Sequence, residues 1–334
     1  MSFLKSLKIG TLNTSHNLVL APLAGISNYP FRQVCRNFGA DLTFTEMVSV
    51  DGLLYQNDSS LRLLKIYSHE QPIGFQFFGS EPDLFERMIP LILPLQPALI
   101  DINFGCPVRK VVAKGAGAAL LHDLRKVERI VSVVKSACSL PVTAKIRIGW
   151  DQQNIVVKEA ALAVAAGGAD AVTVHARTRN QGYAGSANWE YIAAVKEILK
   201  IPVIGNGDVF DGISALKMFQ TTAVDGIMLA RGVLGRPWIF RDILSYLQKQ
   251  EKTEEPTISE RLEILENHYR LEVSEFGEEH ALPRMRKHFA WYTSGLPNAA
   301  KLRNHIFRAK KFSEIRSIFS RYRITQASYE LNNF

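Results

Sequence analysis

The strongest constraint on this chain is a recurring short run of almost wholly apolar, β-branched residues, each bounded by Gly, Pro or Asp. The runs are NLVLA from Asn17, DLTFTE from Asp41, IGFQFF from Ile73, ALIDIN from Ala98, VTAKIR from Val142, AVTVH from Ala171, PVIGN from Pro202 and DGIMLA from Asp225. A strand that is apolar on both faces belongs to a parallel sheet covered by helices. Helical spacing fills the gaps, over residues 82–93, 124–137, 154–166, 189–199 and 211–219. A doubly wound open sheet would use the same units, but eight of them ending near residue 240 favour closure into a (β/α)8 TIM barrel.

After Phe240 the texture changes. A charged connector, QKQEKTEEPT, leads into helical patterns over 259–276, 281–294, 298–307 and 313–321, joined by Gly277, Gly295 and Pro297. The expected architecture is therefore α/β, with a barrel over residues 1–245 and an all-helical domain over 256–334.

Composition bounds the function. With 47% hydrophobic and 22% charged residues, the 334-residue chain has the balance of a globular protein with a large core. The start, MSFLKSLKIG, lacks the apolar segment of a secretion signal. The greasiest stretch, 88–100, is broken by Pro90, Pro94 and Pro97 and falls short of the ~18 apolar residues of a membrane span. A cytoplasmic location without a membrane is expected. Cys35, Cys106 and Cys138 have neither paired nor metal-ligand spacing, so no disulfide framework and no metal are expected. Nothing in the sequence calls for an obligate protein partner. Of the net charge of +8, the tail stands out: residues 284–334 hold 11 Lys and Arg against 2 Asp and Glu.

In a barrel, reactive groups sit at the C-terminal ends of strands. After the first run, APLAGISNYPF leaves backbone exposed around Pro22, Ala24 and Gly25, open either to a planar ligand or to a tight turn. Gln76 lies between Phe75 and Phe77 and points to the opposite face, where it can serve a ligand edge or an internal hydrogen bond. The fourth run ends in DINFGCPVRK, with Asn103 and Cys106 three residues apart in a turn where packing does not call for sulfur. Cys35 and Cys138 fall on apolar helical faces and suit inert packing. Lys145 and Arg147 share one face of the fifth strand; Lys145 either pairs with a carboxylate such as Asp101 or meets an electron-rich ring. His175, Arg177 and Arg179 end the sixth run beside a glycine-bearing loop, as for phosphate or nucleotide contact. Gly205, Gly207, Arg231 and Gly232 end the seventh and eighth, the usual phosphate positions of this architecture.

The strings LAPLAGISNYPFR, DINFGCPVRKVVAKGAGAALL, AKIRIGW, VHARTRNQGYAG and IGNGDV resemble those of the tRNA-dihydrouridine synthases, over essentially the whole chain. The C-terminal MRKHFAWYTSGLPNAAKLR is similar to the bacterial B-type subgroup. The resemblance implies FMN as cofactor, held by Pro22, Leu23, Ala24, Gln76, Lys145, His175, Asn206, Gly207, Asp208, Ala230 and Arg231, with NADPH as reductant. It implies reduction of specific uridines in tRNA to 5,6-dihydrouridine, with hydride passing from flavin to uracil C6 and a proton from Cys106 to C5. Asn103 would orient the uracil edge, and Arg177, Arg284, Arg286 and Lys287 would contact the RNA, within a tail where Lys301, Arg303, Arg308, Lys310, Lys311 and Arg316 lie near Trp291 and Tyr292. A solvated basic face is the plain alternative for that tail. One departure is visible: the family often has Gly-Arg where this chain has Ala230 and Arg231. The same chemistry on ribosomal RNA, or a flavoenzyme similar to dihydroorotate dehydrogenases acting on a small pyrimidine, are the competing readings.

Overall fold

A computed structural model describes residues 3–331, with side chains through residue 325. The chain divides into two compact units, one running from the N-terminus through Gly232 and including Ile239–Glu251, the other formed by Val233–Trp238 and the chain from Lys252 onward.

The first unit is a barrel. Eight parallel strands follow one another around it: β1 (Leu18–Leu20), β2 (Thr43–Phe44), β3 (Ile73–Phe78), β4 (Leu99–Phe104), β5 (Val142–Arg147), β6 (Ala171–His175), β7 (Val203–Asn206) and β8 (Gly226–Leu229). The ladder runs from β2 through β8 to β1, and closes where Val19 bridges Leu42 and the Leu20 N–H donates to the Leu42 carbonyl at 2.9 Å. β2 is shorter than its apolar run suggests. The chain peels away after Phe44 and returns as a second short segment, Val48–Ser49, beside the end of β3.

Helices cover the outside: α1 (Tyr29–Asn37), α2 (Pro82–Ile92), α3 (Leu124–Ala137), α4 (Val157–Ala166), α5 (Glu190–Ile198), α6 (Gly212–Thr222) and α7 (Ile239–Lys249). α3 shows why they form. Asp123 accepts from the Lys126 N–H at 3.1 Å to start it, and Val127, Ile130, Val131 and Val134 fall at helical spacing and are fully buried. Burial of each such side chain contributes about 1.5–3 kcal/mol. Between β2 and β3, two short helices, Val50–Leu54 and Asp58–Leu63, replace a single crossover helix.

Inside the barrel, Val19, Ala21, Leu42, Phe44, Leu99, Ala171, Ile204 and Met228 form an apolar plug. Leu7 and Ile9, from an antiparallel hairpin of Lys8–Ile9 and Leu12–Asn13, join it. The rest of the interior, along β3 to β7, is polar, and that half carries the chemistry.

The second unit is helical: α8 (Ile258–Phe276), α9 (Glu278–Tyr292), α10 (Ala299–Arg308) and α11 (Phe312–Leu331). Thr257 and Glu260 cap α8 reciprocally, at 3.2 and 2.8 Å. Leu265, Tyr269, Met285, Phe289, Ile306, Ile315 and Phe319 fill its core. Trp238 from the Val233–Trp238 segment is fully buried here, 6.3 Å from the Tyr292 ring and beneath the Arg261 guanidinium. No described helix is long and apolar enough to cross a membrane.

Candidate active site

Parallel register brings the polar strand ends together. Asn103 stands opposite Lys145, Arg147 opposite His175, and His175 opposite Asn206. Together they line a cavity of about 300 Å³ at the C-terminal mouth, with Pro22, Leu23, Ala24, Met47, Cys106, Tyr183, Gly207, Asp208, Phe210, Ala230 and Arg231 completing the wall. That is within the range of small-molecule sites.

Cys106 is held from every side of its backbone. Its N–H donates to Asn103 Oδ1 at 2.8 Å, and its carbonyl accepts from the Ala118 N–H at 3.1 Å. The preceding carbonyl, of Gly105, accepts from Arg147 Nε at 2.8 Å. The loop that returns over it requires glycine at 117, which sits at φ +60 and where a Cβ would come within 2.8 Å of the Cys106 carbonyl oxygen. Burial raises the pKa of the Cys106 thiol, against the opposing effects of a Val108 backbone hydrogen bond and the Arg147 and Lys145 charges. The thiol is therefore protonated at neutral pH and suited to act as an acid rather than a nucleophile.

Lys145 donates to Asn206 Oδ1 at 3.0 Å, and Asn206 in turn donates to the Met228 carbonyl at 2.7 Å. The carboxylate pairing open to Lys145 from sequence is thus replaced by an amide contact. Burial, with the Arg147 charge next, pushes its pKa down to about 7. Arg147 also braces the neighbouring loop through the carbonyls of Thr178 (2.7 Å) and Gly182 (2.9 Å). His175 is kept well below the usual histidine range by burial and then by the surrounding cations, so it is neutral.

The opposite wall is built on Asp208, which tolerates φ +55 and follows Gly207 at φ +126. Its carboxylate accepts from Arg177 at 2.7 Å, Arg231 at 2.9 Å and the Ala187 N–H at 2.7 Å. Burial alone would raise its pKa; these hydrogen bonds and the two arginine charges outweigh that and hold it below the ordinary value. Arg231 remains part-exposed, flanked by the Tyr183 and Phe210 rings at 5.2 and 6.0 Å. Lys145, Arg147 and Arg231 make the cavity cationic, and side-chain-free Gly207 and Gly232 open its β7–β8 side, an arrangement that suits a phosphate-bearing planar molecule.

Of the residues singled out by sequence, the structure brings Pro22, Leu23, Ala24, Asn103, Cys106, Lys145, His175, Asn206, Gly207, Asp208, Ala230 and Arg231 to one cavity. Gln76 and Arg177 do not line it. Gln76 is 1% exposed, one layer deeper, bonded to Asp101 and Asn103. Arg177 is also 1% exposed, spent on Asp208 and on the carbonyls of Ala184 and Gly185. Arg179 stacks on Trp150 at 4.6 Å. Cys138 follows α3 rather than lying within it and is half-buried, whereas Cys35 is buried in α1. Sequence reasoning passed over Met47, Tyr183 and Phe210; the last two are rings in strand-end loops, which was the available signal.

Arg284, Arg286 and Lys287 lie on α9 of the helical unit. Arg284 sits 3.9 Å from the Phe276 ring centroid and 3.5 Å from Glu272, Arg286 is exposed, and Lys287 is half-buried. Arg316 pairs with Glu266 at 2.8 Å. Between α10 and α11, a hollow of about 810 Å³ is lined by Lys301, His305, Arg308, Arg321 and Tyr322 among others.

Comparison with known proteins places these features. The family model described as dihydrouridine synthase matches residues 19–327. A probable tRNA-dihydrouridine synthase of Rickettsia typhi is 38% identical over 299 residues, covering 89% of this chain and 91% of that protein. The tRNA-dihydrouridine synthase B of Pseudomonas aeruginosa is 38% identical over 296 residues, covering 89% of each. Among solved structures, histamine dehydrogenase from Rhizobium sp. 4-9 superposes with a TM-score of 0.59 at 13% identity, covering 80% of this chain and half of that one, a likeness of fold.

Proposed function

Because the chain belongs to the dihydrouridine synthase family, we propose that it reduces uridine in tRNA to 5,6-dihydrouridine, with FMN as bound cofactor and NADPH as reductant. The observation that carries this reading is Cys106: a buried, protonated thiol, pinned at its backbone, on the wall of a cationic cavity.

The cavity suits FMN on its own chemistry. Lys145, Arg147 and Arg231 oppose a phosphate and an electron-rich ring, and the glycines at 207 and 232 leave backbone bare on the side where a phosphate would sit. Pro22, Leu23, Ala24, Lys145, His175, Asn206, Gly207, Asp208, Ala230 and Arg231 would hold it. Ala230 both lines the cavity and packs against the barrel plug, and Arg231 beside it is retained. FMN, once bound, supplies the hydride that reaches uracil C6.

The remaining work falls to the chain. Cys106 holds the proton delivered to C5. Lys145 stabilises negative charge that develops in the cavity, neutral His175 can donate or accept without adding charge, and Asn103 meets the edge of the uracil. The uridine must leave its stack in folded RNA to enter a mouth of this size. The exposed cations of the helical unit, including those around the α10–α11 hollow, supply contacts to RNA phosphates.

The test is direct. Purified protein should be yellow, and with NADPH it should form dihydrouridine in unmodified tRNA, read by mass spectrometry. A colourless preparation that takes up no flavin, or turnover of free orotate or uracil in the absence of RNA, would overturn this reading.

A further inference from the structure

Beneath the cavity runs a buried hydrogen-bond relay. Thr143 Oγ1 donates to Asp101 Oδ1 at 2.6 Å, Gln76 Nε2 donates to Asp101 Oδ2 at 2.6 Å, and Asn103 Nδ2 donates to Gln76 Oε1 at 2.8 Å. At the far end, Asn103 Oδ1 accepts from the N–H groups of Gly105 (3.0 Å) and Cys106 (2.8 Å). Asp101 is 1% exposed and does not line the cavity.

The direction of such a relay follows from its ends. An ionised carboxylate accepts and cannot donate. Gln76 must therefore turn its NH₂ to Asp101 and its oxygen to Asn103, and Asn103 must turn its NH₂ back. The backbone donors at Gly105 and Cys106 demand an oxygen from Asn103, so both ends agree. Burial raises the Asp101 pKa to about 6, against the hydrogen bonds from Gln76 and Thr143 and the Lys145 charge. The carboxylate is thus mostly ionised at pH 7 and above. What Asn103 has left for the cavity is a single N–H, now 3.8 Å from the sulfur of Met47, a weak acceptor that also lines the wall.

We propose that Asp101 is a positioning residue that, together with the Gly105 and Cys106 N–H groups at the other end, fixes the direction of this relay, so that Asn103 offers the cavity a donor and never an acceptor, and the ring it reads must present a carbonyl there, as uracil does, rather than an amino group, as cytosine does. The proposal rests on the uridine reading above.

Reversing the relay tests it. In Asn103→Asp, residue 103 faces the Gln76 oxygen with an acceptor, and Gln76 cannot turn over because Asp101 would then meet its oxygen. Asp101→Asn removes that obstacle: its amide donates to Gln76, which turns its NH₂ to residue 103. Expected without RNA are a thermal midpoint lowered by about 5–10 °C in Asn103→Asp, and a double variant within about 2 °C of Asp101→Asn alone. On tRNA, Asp101→Asn should keep turnover within about tenfold of wild type, while Asn103→Asp and the double variant both lose at least about 100-fold, because the acceptor now faces the cavity. A residue of purely structural weight would restore turnover along with stability. Relief of charge repulsion through space is separated by repeating the pair in Gln76→Leu, where the recovery of the midpoint should vanish. Additive losses in midpoint, a recovery that persists without Gln76, or a double variant that regains turnover would each overturn the proposal. Should wild-type protein fail to act on tRNA, the uridine reading falls, and the midpoints still decide the relay.

Discussion

On the β4 side of the cavity, Asp101 anchors two neutral amides in a chain that ends on the Cys106 N–H, whereas on the β7–β8 side Asp208 is shared between two guanidiniums. Each wall is organised by one carboxylate, with opposite results. On the first, burial leaves the thiol its proton against the Arg147 and Lys145 charges; the second aims Arg231 while its flanking rings and part-exposure leave cationic character in the cavity. A proton donor and an anion site need contrary electrostatics, and a barrel can supply both because different strands build its two walls.

Lys145 stands between the walls, and its removal should have the largest effect. Lys145→Met is expected to cut turnover about 100- to 1,000-fold, since it loses both the Asn206 contact and the ammonium charge in the cavity. With its pKa pushed down to about 7, Lys145 is charged below that value and neutral above it. Wild-type turnover should accordingly decline as pH rises through about 7, and Lys145→Arg should move that limb upward; a pH–rate profile checks the sign. Next in size, Arg231→Ala should weaken flavin binding about 10- to 30-fold by fluorescence titration while leaving the alkylation rate of Cys106 unchanged. A change in Cys106 reactivity would mean the walls are not independent. Asp208→Asn, which loosens Arg231 without deleting it, should cost about three- to tenfold in the same titration. Smallest, Arg286→Ala in the helical unit should weaken tRNA affinity about two- to threefold and lower the salt slope by about one.

The division between walls also marks what could be read from sequence. Strands β3 to β8 were legible because burial on both faces leaves runs that are largely apolar and β-branched, and the mouth residues followed from their positions at or after the ends of those runs. Depth was not legible. Alternation says that Gln76 faces the barrel interior, but only the register opposite Asp101, one layer below Asn103, puts it behind the cavity rather than on it. Arg177 was misplaced for a similar reason: its partners are carbonyls in its own loop and a carboxylate on another strand. The placement of Trp238 depends on Glu255, Arg261 and Tyr292, far along the chain, and no local pattern announces it. The helix expected over 313–321 extends to Leu331, because nothing in RYRITQASYEL breaks it.

The measurement that bears most directly on the central claim is the yield of dihydrouridine in unmodified tRNA treated with NADPH and flavin-loaded protein, wild type against Cys106→Ala. Wild-type protein should convert its target uridine and the variant, equally yellow, should remain near background; equal yields from the two would contradict the assignment of Cys106 as proton donor.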